Sequence, residues 1–216
     1  MQVIKQNILF FTLLLSYLCI GAFYIVSHVH GDEILYINTI HQPGLDFFFK
    51  YASHIGEGLF FGVVIVLLGL LVSYYHAIVG LCTFILSTLM VQIPKRLIFE
   101  DQIRPHKYFL GKVKLNLVEG VEVHHFNSFP SGHTGSAFAL AMFLTLYTKN
   151  KYYSIIYFLA AVCVALSRMY LFQHFLRDVY VGAILGVMAS LIVYYIFENV
   201  VNISPQSKLN NALFNN

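Results

Sequence analysis

Residues 127–136 read NSFPSGHTGS and residues 167–178 read SRMYLFQHFLRD. Each places a histidine beside a long apolar run, where polar side chains are costly and are kept for a purpose. In the first stretch, Pro130 suits the opening turn of a helix, because its missing N–H costs nothing there. Gly132 lets backbone approach a ligand. The free N–H groups and the dipole of such a helix start attract an anion. In the second stretch, His174 and Asp178 are four residues apart, so they share a face if the segment is helical. An aspartate so placed accepts the imidazole N–H, fixes the tautomer and stabilises the charged ring. A third polar stretch, KRLIFEDQIRPHK at 95–107, brings Lys95, Arg96 and Arg104.

Taken singly, each stretch has an ordinary explanation: a snorkelling cation, a helix cap, a charged interfacial turn. Taken together, they supply dispersed positive charge, an N–H cradle and the guanidinium of Arg168, which is what a phosphate dianion needs. His133 and His174 add acid–base and nucleophilic capacity. A neutral imidazole attacks phosphorus to give a phosphohistidine, splitting hydrolysis into two steps. The other, protonated, hands a proton to the leaving oxygen and then activates water. Cations neutralise the equatorial oxygens. Ser131 fits as a hydrogen-bond donor to phosphate; no general base stands beside it, so it is the poorer nucleophile.

The elements that must position these groups are membrane spans. The chain has 216 residues, 58% of them hydrophobic and 11% charged, with mean hydropathy +0.72. A soluble domain carries about 45–50% apolar and about 25% charged residues. The net charge of +3, with no basic tract, gives no footing for a nucleic-acid partner. Cys19, Cys82 and Cys163 each lie inside an apolar run, without metal spacing. Six stretches read as transmembrane helices: about 8–27, 58–75, 77–93, 134–147 with the residues before it, 152–169 and 179–197. The fourth has the shortest apolar part. The first reads as an uncleaved helix rather than a signal peptide. Residues 28–57 are too polar to span and read as an amphipathic interfacial segment broken at Pro43-Gly44. The expected fold is therefore all-α, an integral membrane bundle in one domain over 1–201, followed by a polar, frayed tail over 202–216.

Six spans place both termini on one side and all three polar stretches on the other, at the ends of spans three to six. Lys5, Lys149, Lys151 and Lys208 fall on the terminal side, and the remaining Lys and Arg fall opposite. A plain positive-inside count would thus turn the long loops to the cytoplasm. Several of the cations counted are candidate site residues, which weakens that count.

At this point the chain resembles the type 2 phosphatidic-acid phosphatase and vanadium haloperoxidase superfamily, over roughly residues 30–198. That superfamily carries Lys…Arg-Pro, Pro-Ser-Gly-His, and Ser-Arg followed after five residues by His and after three more by Asp. The second motif is present as Pro130-Ser131-Gly132-His133, and the third runs in full from Ser167-Arg168 through His174 to Asp178. The first departs from the pattern: the family usually has six residues before Arg-Pro, but position 97 is Leu97, while eight residues separate Lys95 from Arg104 and seven separate Arg96 from it. Either Lys95 or Arg96 takes that role. The resemblance implies His174 as nucleophile, Asp178 as its orienting partner and His133 as general acid. Lys95, Arg104, Ser131, Gly132 and Arg168 would hold the phosphate. It also implies no metal or other cofactor, and a site on the periplasmic or extracellular face of a bacterial plasma membrane.

The expected activity is removal of a terminal phosphate or pyrophosphate from a lipid, with undecaprenyl pyrophosphate, lipid A, phosphatidylglycerol phosphate and phosphatidic acid as candidates. No obligate protein partner is implied. Specificity must come from 28–57 and 106–127. A lipid-phosphate binder would need the cations without both histidines in register with Asp178. A phosphotransferase would use the same phosphohistidine. A haloperoxidase would be soluble and hold vanadate. Glu57, at the mouth of the second span, reads as an interfacial carboxylate, and His124 and His125 read as loop residues. With His106 these two histidines match no metal-ligand spacing.

Overall fold

The computed structural model describes residues 2–201 and 207–214, and every regular element among these is a helix. A short α1 (Gln2–Gln6) precedes α2 (Ile8–Ser27), whose Leu15, Ile20, Phe23 and Val26 are exposed. An apolar helix with an apolar outer face has lipid as its solvent. α3 (Asp32–Thr39) and α4 (Pro43–Ala52) follow, divided at the expected break, with Pro43 in the first turn of α4. A 3-10 turn, Ser53–Gly56, leads into α5 (Gly58–Leu71), and a sharp turn at Val72–Ser73 leads into α6 (Tyr74–Leu97). The loop beyond α6 carries the short α7 (Pro105–Phe109). Three helices complete the bundle: α8 (Gly132–Tyr147), α9 (Tyr153–Tyr170) and α10 (Leu176–Ile196).

The protein is an all-α integral membrane bundle, and its six principal helices coincide with the six expected spans. They are not equally long. Ile8–Ser27, Tyr74–Leu97, Tyr153–Tyr170 and Leu176–Val201 are each long and apolar enough to cross a bilayer alone. α5 has 14 residues and α8 has 16, which is short of a full crossing. α5 continues Pro43–Gly56 through a bend of 56°, and the bent pair together reaches the needed length. α8 packs against α6, α9 and α10, with Ala137, Phe138, Ala139, Met142 and Phe143 all buried. Protein rather than lipid surrounds it, so a short and less apolar helix suffices there.

Small residues set the closeness of that packing. A Cβ on Gly182 would lie 2.6 Å from the Ser131 carbonyl oxygen and 3.3 Å from Thr134 Cβ. One on Gly186 would overlap the Gly135 carbonyl. Two glycines one turn apart on α10 thus let α8 lie almost against its backbone, and the Ser190 hydroxyl donates to the Ala139 carbonyl at 2.6 Å. The opening turn of α8 is thereby held against the opening turn of α10. This is the junction that positions His133 relative to His174.

At the far end of the bundle, the Tyr74 N–H donates to the Asn211 carbonyl, and the Leu213 and Phe214 N–H groups donate to Gly69 and Leu70. Of the tail expected to fray, residues 202–206, 215 and 216 lie outside the described residues; 207–214 run along the α5–α6 turn, with Ala212 buried.

Candidate active site

The ends of α6 and α9 and the beginnings of α8 and α10 meet around a cavity of about 580 Å³. Lys95, Arg104, Gly132, His133, Arg168 and His174 line it. Three separate sequence stretches therefore converge as expected. Ser131 and Asp178, both fully buried, stand behind the wall.

His174 does not lie on a helix. α9 ends at Tyr170, Phe172 takes a left-handed backbone with φ of 53°, and α10 starts only at Leu176. The sequence expectation of a shared helical face is thus replaced by a loop–helix pairing. Asp178 occupies the first turn of α10, where its Oδ2 accepts the Phe175 N–H at 2.9 Å and the Ser128 hydroxyl at 2.5 Å. A carboxylate at that point also meets the favourable end of the helix dipole. The same Oδ2 is 3.6 Å from His174 Nδ1, a close contact beyond hydrogen-bond length. Nδ1 has no hydrogen-bond partner, so a small rotation of the ring completes the pair.

The cations are anchored differently. Lys95 sits in the last turn of α6 and is 7% exposed, whereas Arg96 lines the same cavity but is exposed. Arg104 is spent largely on the loops: Nε donates to the Phe126 carbonyl, Nη2 to Asn127, and Nη1 to the carbonyl and side-chain oxygens of Gln173. A guanidinium has five N–H donors, so about one remains for a ligand. Burial lowers its pKa to about 10, with Asp178 opposing. Arg168 donates through Nη1 to the Ser53 hydroxyl at 2.5 Å, and its Nε is buried without a partner. Burial first, then the charges of Arg104, Lys95 and Arg168 and the neighbouring His133, hold the His174 imidazole well below its ordinary value of 6.5. That shift favours the neutral ring, the form in which an imidazole is nucleophilic.

Ser131 caps α8: its hydroxyl accepts the Thr134 N–H at 3.4 Å and lies 3.0 Å from the Thr134 hydroxyl. Its own N–H donates to the Asp178 carbonyl at 2.9 Å. The N–H groups of Gly132 and His133 come before the first helical hydrogen bond of α8 and have no partner within the helix. Gly56 brings the 3-10 turn against this corner, since a Cβ there would lie 2.8 Å from the His133 carbonyl oxygen and 2.6 Å from Val164.

The structure adds residues that sequence reasoning did not single out. Ser128 orients Asp178, Gln173 ties Arg104 to the Glu122 carbonyl, and Ser53 supports Arg168. Ser128 lies two positions before Pro130 and Gln173 directly precedes His174; that adjacency was the one available signal. Glu57 pairs with His54 at 2.6 Å, and His124 lines the cavity. His106 and His125 stack on each other. Among the described residues, no three His, Cys, Asp or Glu side chains gather as a metal-ligand set.

A model of the PAP2 superfamily matches residues 63–202. A lipid A 4'-phosphatase of Bacteroides thetaiotaomicron is 27% identical over 187 residues, covering 79% of this chain and 78% of that one. Lipid phosphate phosphatase 1 of Arabidopsis thaliana is 29% identical over 145 residues, 56% of this chain and 44% of that protein. The crystal structure of Aquifex aeolicus LpxE superposes with a TM-score of 0.67 at 28% identity, over 77% of this chain and 95% of that one. A PAP2-type phosphatidylglycerolphosphate phosphatase of Bacillus subtilis gives 0.59 at 23% identity, over 92% and 99%, and shares the fold.

Proposed function

The chain belongs to the PAP2 superfamily, and on that premise we propose that it is a lipid-phosphate phosphatase working through a phosphohistidine on His174. The observation that carries this reading is the convergence of Lys95, Arg104, Arg168, His133 and His174 on one cavity at the end of a membrane bundle. Residues 1–201 act as a single domain. The relatives named for lipid A and lipid phosphate point to the same class of substrate.

The geometry supports a role for each of these residues. Asp178, fixed by Ser128 and the Phe175 N–H, takes the Nδ1 proton of His174 as a hydrogen bond and leaves Nε2 to meet phosphorus. Lys95, Arg168, the remaining donor of Arg104 and the N–H groups of Gly132 and His133 surround the phosphate oxygens. Ser131 acts through the cap it provides, keeping those N–H groups in place. As Nε2 bonds to phosphorus, the bond to the leaving oxygen breaks, and protonated His133 supplies that oxygen with its proton. Water then attacks the phosphohistidine, neutral His133 takes the water's proton, and phosphate leaves with His174 restored. Side-chain cations balance the charge throughout, so the scheme calls for no metal.

The lipid's chains stay in the bilayer while the head group enters from the membrane surface. The site faces the periplasmic or extracellular side of a bacterial plasma membrane in this reading, as the family resemblance implies; Lys95, Arg104 and Arg168 weigh less in the positive-inside count because they hold the phosphate. Phosphate release by the purified protein in detergent tests the function, with undecaprenyl pyrophosphate, lipid A, phosphatidylglycerol phosphate and phosphatidic acid as the panel. Release from at least one lipid is expected, insensitive to EDTA and blocked by vanadate. Release that stops in EDTA and returns with a divalent ion would overturn the metal-free scheme. Phosphate appearing only on an added alcohol would make the protein a phosphotransferase.

A further inference from the structure

The loop that carries His174 begins in an uncommon backbone. Phe172 is buried and left-handed, with φ of 53°. A bulky side chain keeps that conformation only where its surroundings fix it. Those surroundings come from the segment that joins α3 to α4. The His41 ring stacks on Phe172 and on Tyr170, with centroids 5.0 and 4.0 Å apart. Its Nε2 donates to the Tyr170 carbonyl at 3.2 Å.

Asp46 ties the same corner from α4. Its Oδ1 accepts the Tyr170 hydroxyl at 2.5 Å and lies 3.1 Å from His41 Nδ1. The Tyr170 hydroxyl also accepts the Gln42 N–H at 3.3 Å. Phe49, about one turn after Asp46, packs on the Tyr170 ring at 4.5 Å. Tyr170 is buried, and a phenylalanine would fill the same space. The hydroxyl and the carboxylate add direction, because a hydrogen bond to a carboxylate is short and angle-dependent.

These contacts lie next to the reacting group. The Gln173 and His174 N–H groups both turn back onto the Arg168 carbonyl, at 2.9 and 3.2 Å. His174 Nδ1 has no hydrogen-bond partner of its own, so the place of the ring depends on the loop that carries it. We propose that His41, Asp46 and Tyr170 form a positioning cluster, by which the interfacial segment sets the His174 loop for attack on phosphorus. The cluster rests on the phosphatase reading above. None of the three residues lines the phosphate cavity, so they act through His174 and not on the substrate. The other face of α4 exposes Phe47, Phe48 and Tyr51, which suits it to the bilayer interface.

The test is steady-state and single-turnover kinetics, on the lipid that the wild type turns over best, for Tyr170→Phe, Asp46→Ala, the two combined, and Asp46→Asn. Misplacing a reacting group costs rate, whereas the phosphate-holding cations are left as they are. Tyr170→Phe and Asp46→Ala are each expected to lower kcat and the rate of His174 phosphorylation by about tenfold, the size of one charge-assisted hydrogen bond, with KM changed by less than about twofold. The double variant is expected to lose no more than either single one, since both remove the same contact. Asp46→Asn keeps an accepting oxygen and should stay within about threefold of the wild type. Unchanged kcat in both single variants, losses that multiply in the double variant, a rise in KM in place of the fall in kcat, or Asp46→Asn no better than Asp46→Ala would overturn the cluster and leave the phosphatase reading intact. So would a loss that only tracks the fraction unfolded in a thermal melt. Failure of the wild type to release phosphate from any of the four lipids would overturn that reading, and the cluster with it.

Discussion

The Ser128 hydroxyl donates to Asp178 Oδ2 at 2.5 Å, across 50 residues of sequence, and both side chains are wholly buried. Asp178 therefore reaches His174 already fixed by a second partner. Ser128→Ala removes that restraint without changing charge. A buried hydrogen bond to a charged group contributes about 1.5–3 kcal/mol. The variant is expected to lose at least about tenfold in kcat with little change in KM, and restoring the hydroxyl with Ser128→Thr should recover part of it. Steady-state kinetics beside a thermal melt separates this from unfolding.

Lys95 and Arg96 are adjacent and line the same cavity, yet only Lys95 is buried. Charge in a desolvated place acts more strongly than charge in water. Lys95→Gln is expected to lower kcat/KM by about a hundredfold, and Arg96→Gln by no more than about threefold. Equal, mild losses would remove both from the phosphate site.

The pH dependence carries a definite sign. Burial, with Arg104, Lys95, Arg168 and His133 behind it, depresses the pKa of His174. The neutral ring is therefore favoured to lower pH than in an ordinary imidazole, and its protonation is expected to set the acid limb of kcat/KM. Removing the Lys95 charge weakens the depression, so the acid limb of kcat/KM in Lys95→Gln moves to higher pH than in the wild type. A phosphomonoester titrates near pH 6 as well, but identically for both proteins, so the difference between profiles isolates the enzyme. An unmoved limb would mean that Lys95 does not act on His174.

Gly56 touches the His133 backbone from the interfacial turn, where a Cβ would lie 2.8 Å from the carbonyl oxygen. Gly56→Ala must displace one of them. Overpacking of this kind costs about 1–3 kcal/mol. The expected result is a lower melting temperature together with a kcat loss, because the displaced atoms belong to His133, the proposed proton donor. A loss of stability with full kcat would show that His133 tolerates movement.

The spans were legible because a bilayer demands long apolar runs, and the limits of α2 agree with those read from sequence. α8 read weakly for the reason that it is central: neighbours, not lipid, cover it. The polar stretches were legible because charged residues next to such runs are conspicuous. What the sequence did not disclose was how the side chains are supported. The separation of His174 and Asp178 fits a helix, but α9 ends at Tyr170, and the left-handed backbone at Phe172 leads His174 into a loop. Ser128 and Ser53 gain their meaning from partners 50 and 115 residues away, and no local pattern encodes such pairings.

The central claim is the covalent bond to His174. Its most direct test is to mix the purified protein with lipid substrate, quench within one turnover under alkaline conditions that preserve phosphohistidine, and map the phosphoryl group by peptide mass spectrometry. The account predicts one phosphoryl group on the peptide containing His174, absent in His174→Ala and accumulating in His133→Ala when an activated leaving group is used. Phosphate release with no phosphorylated intermediate, or a phosphoryl group found on Ser131 or His133 instead, would contradict it.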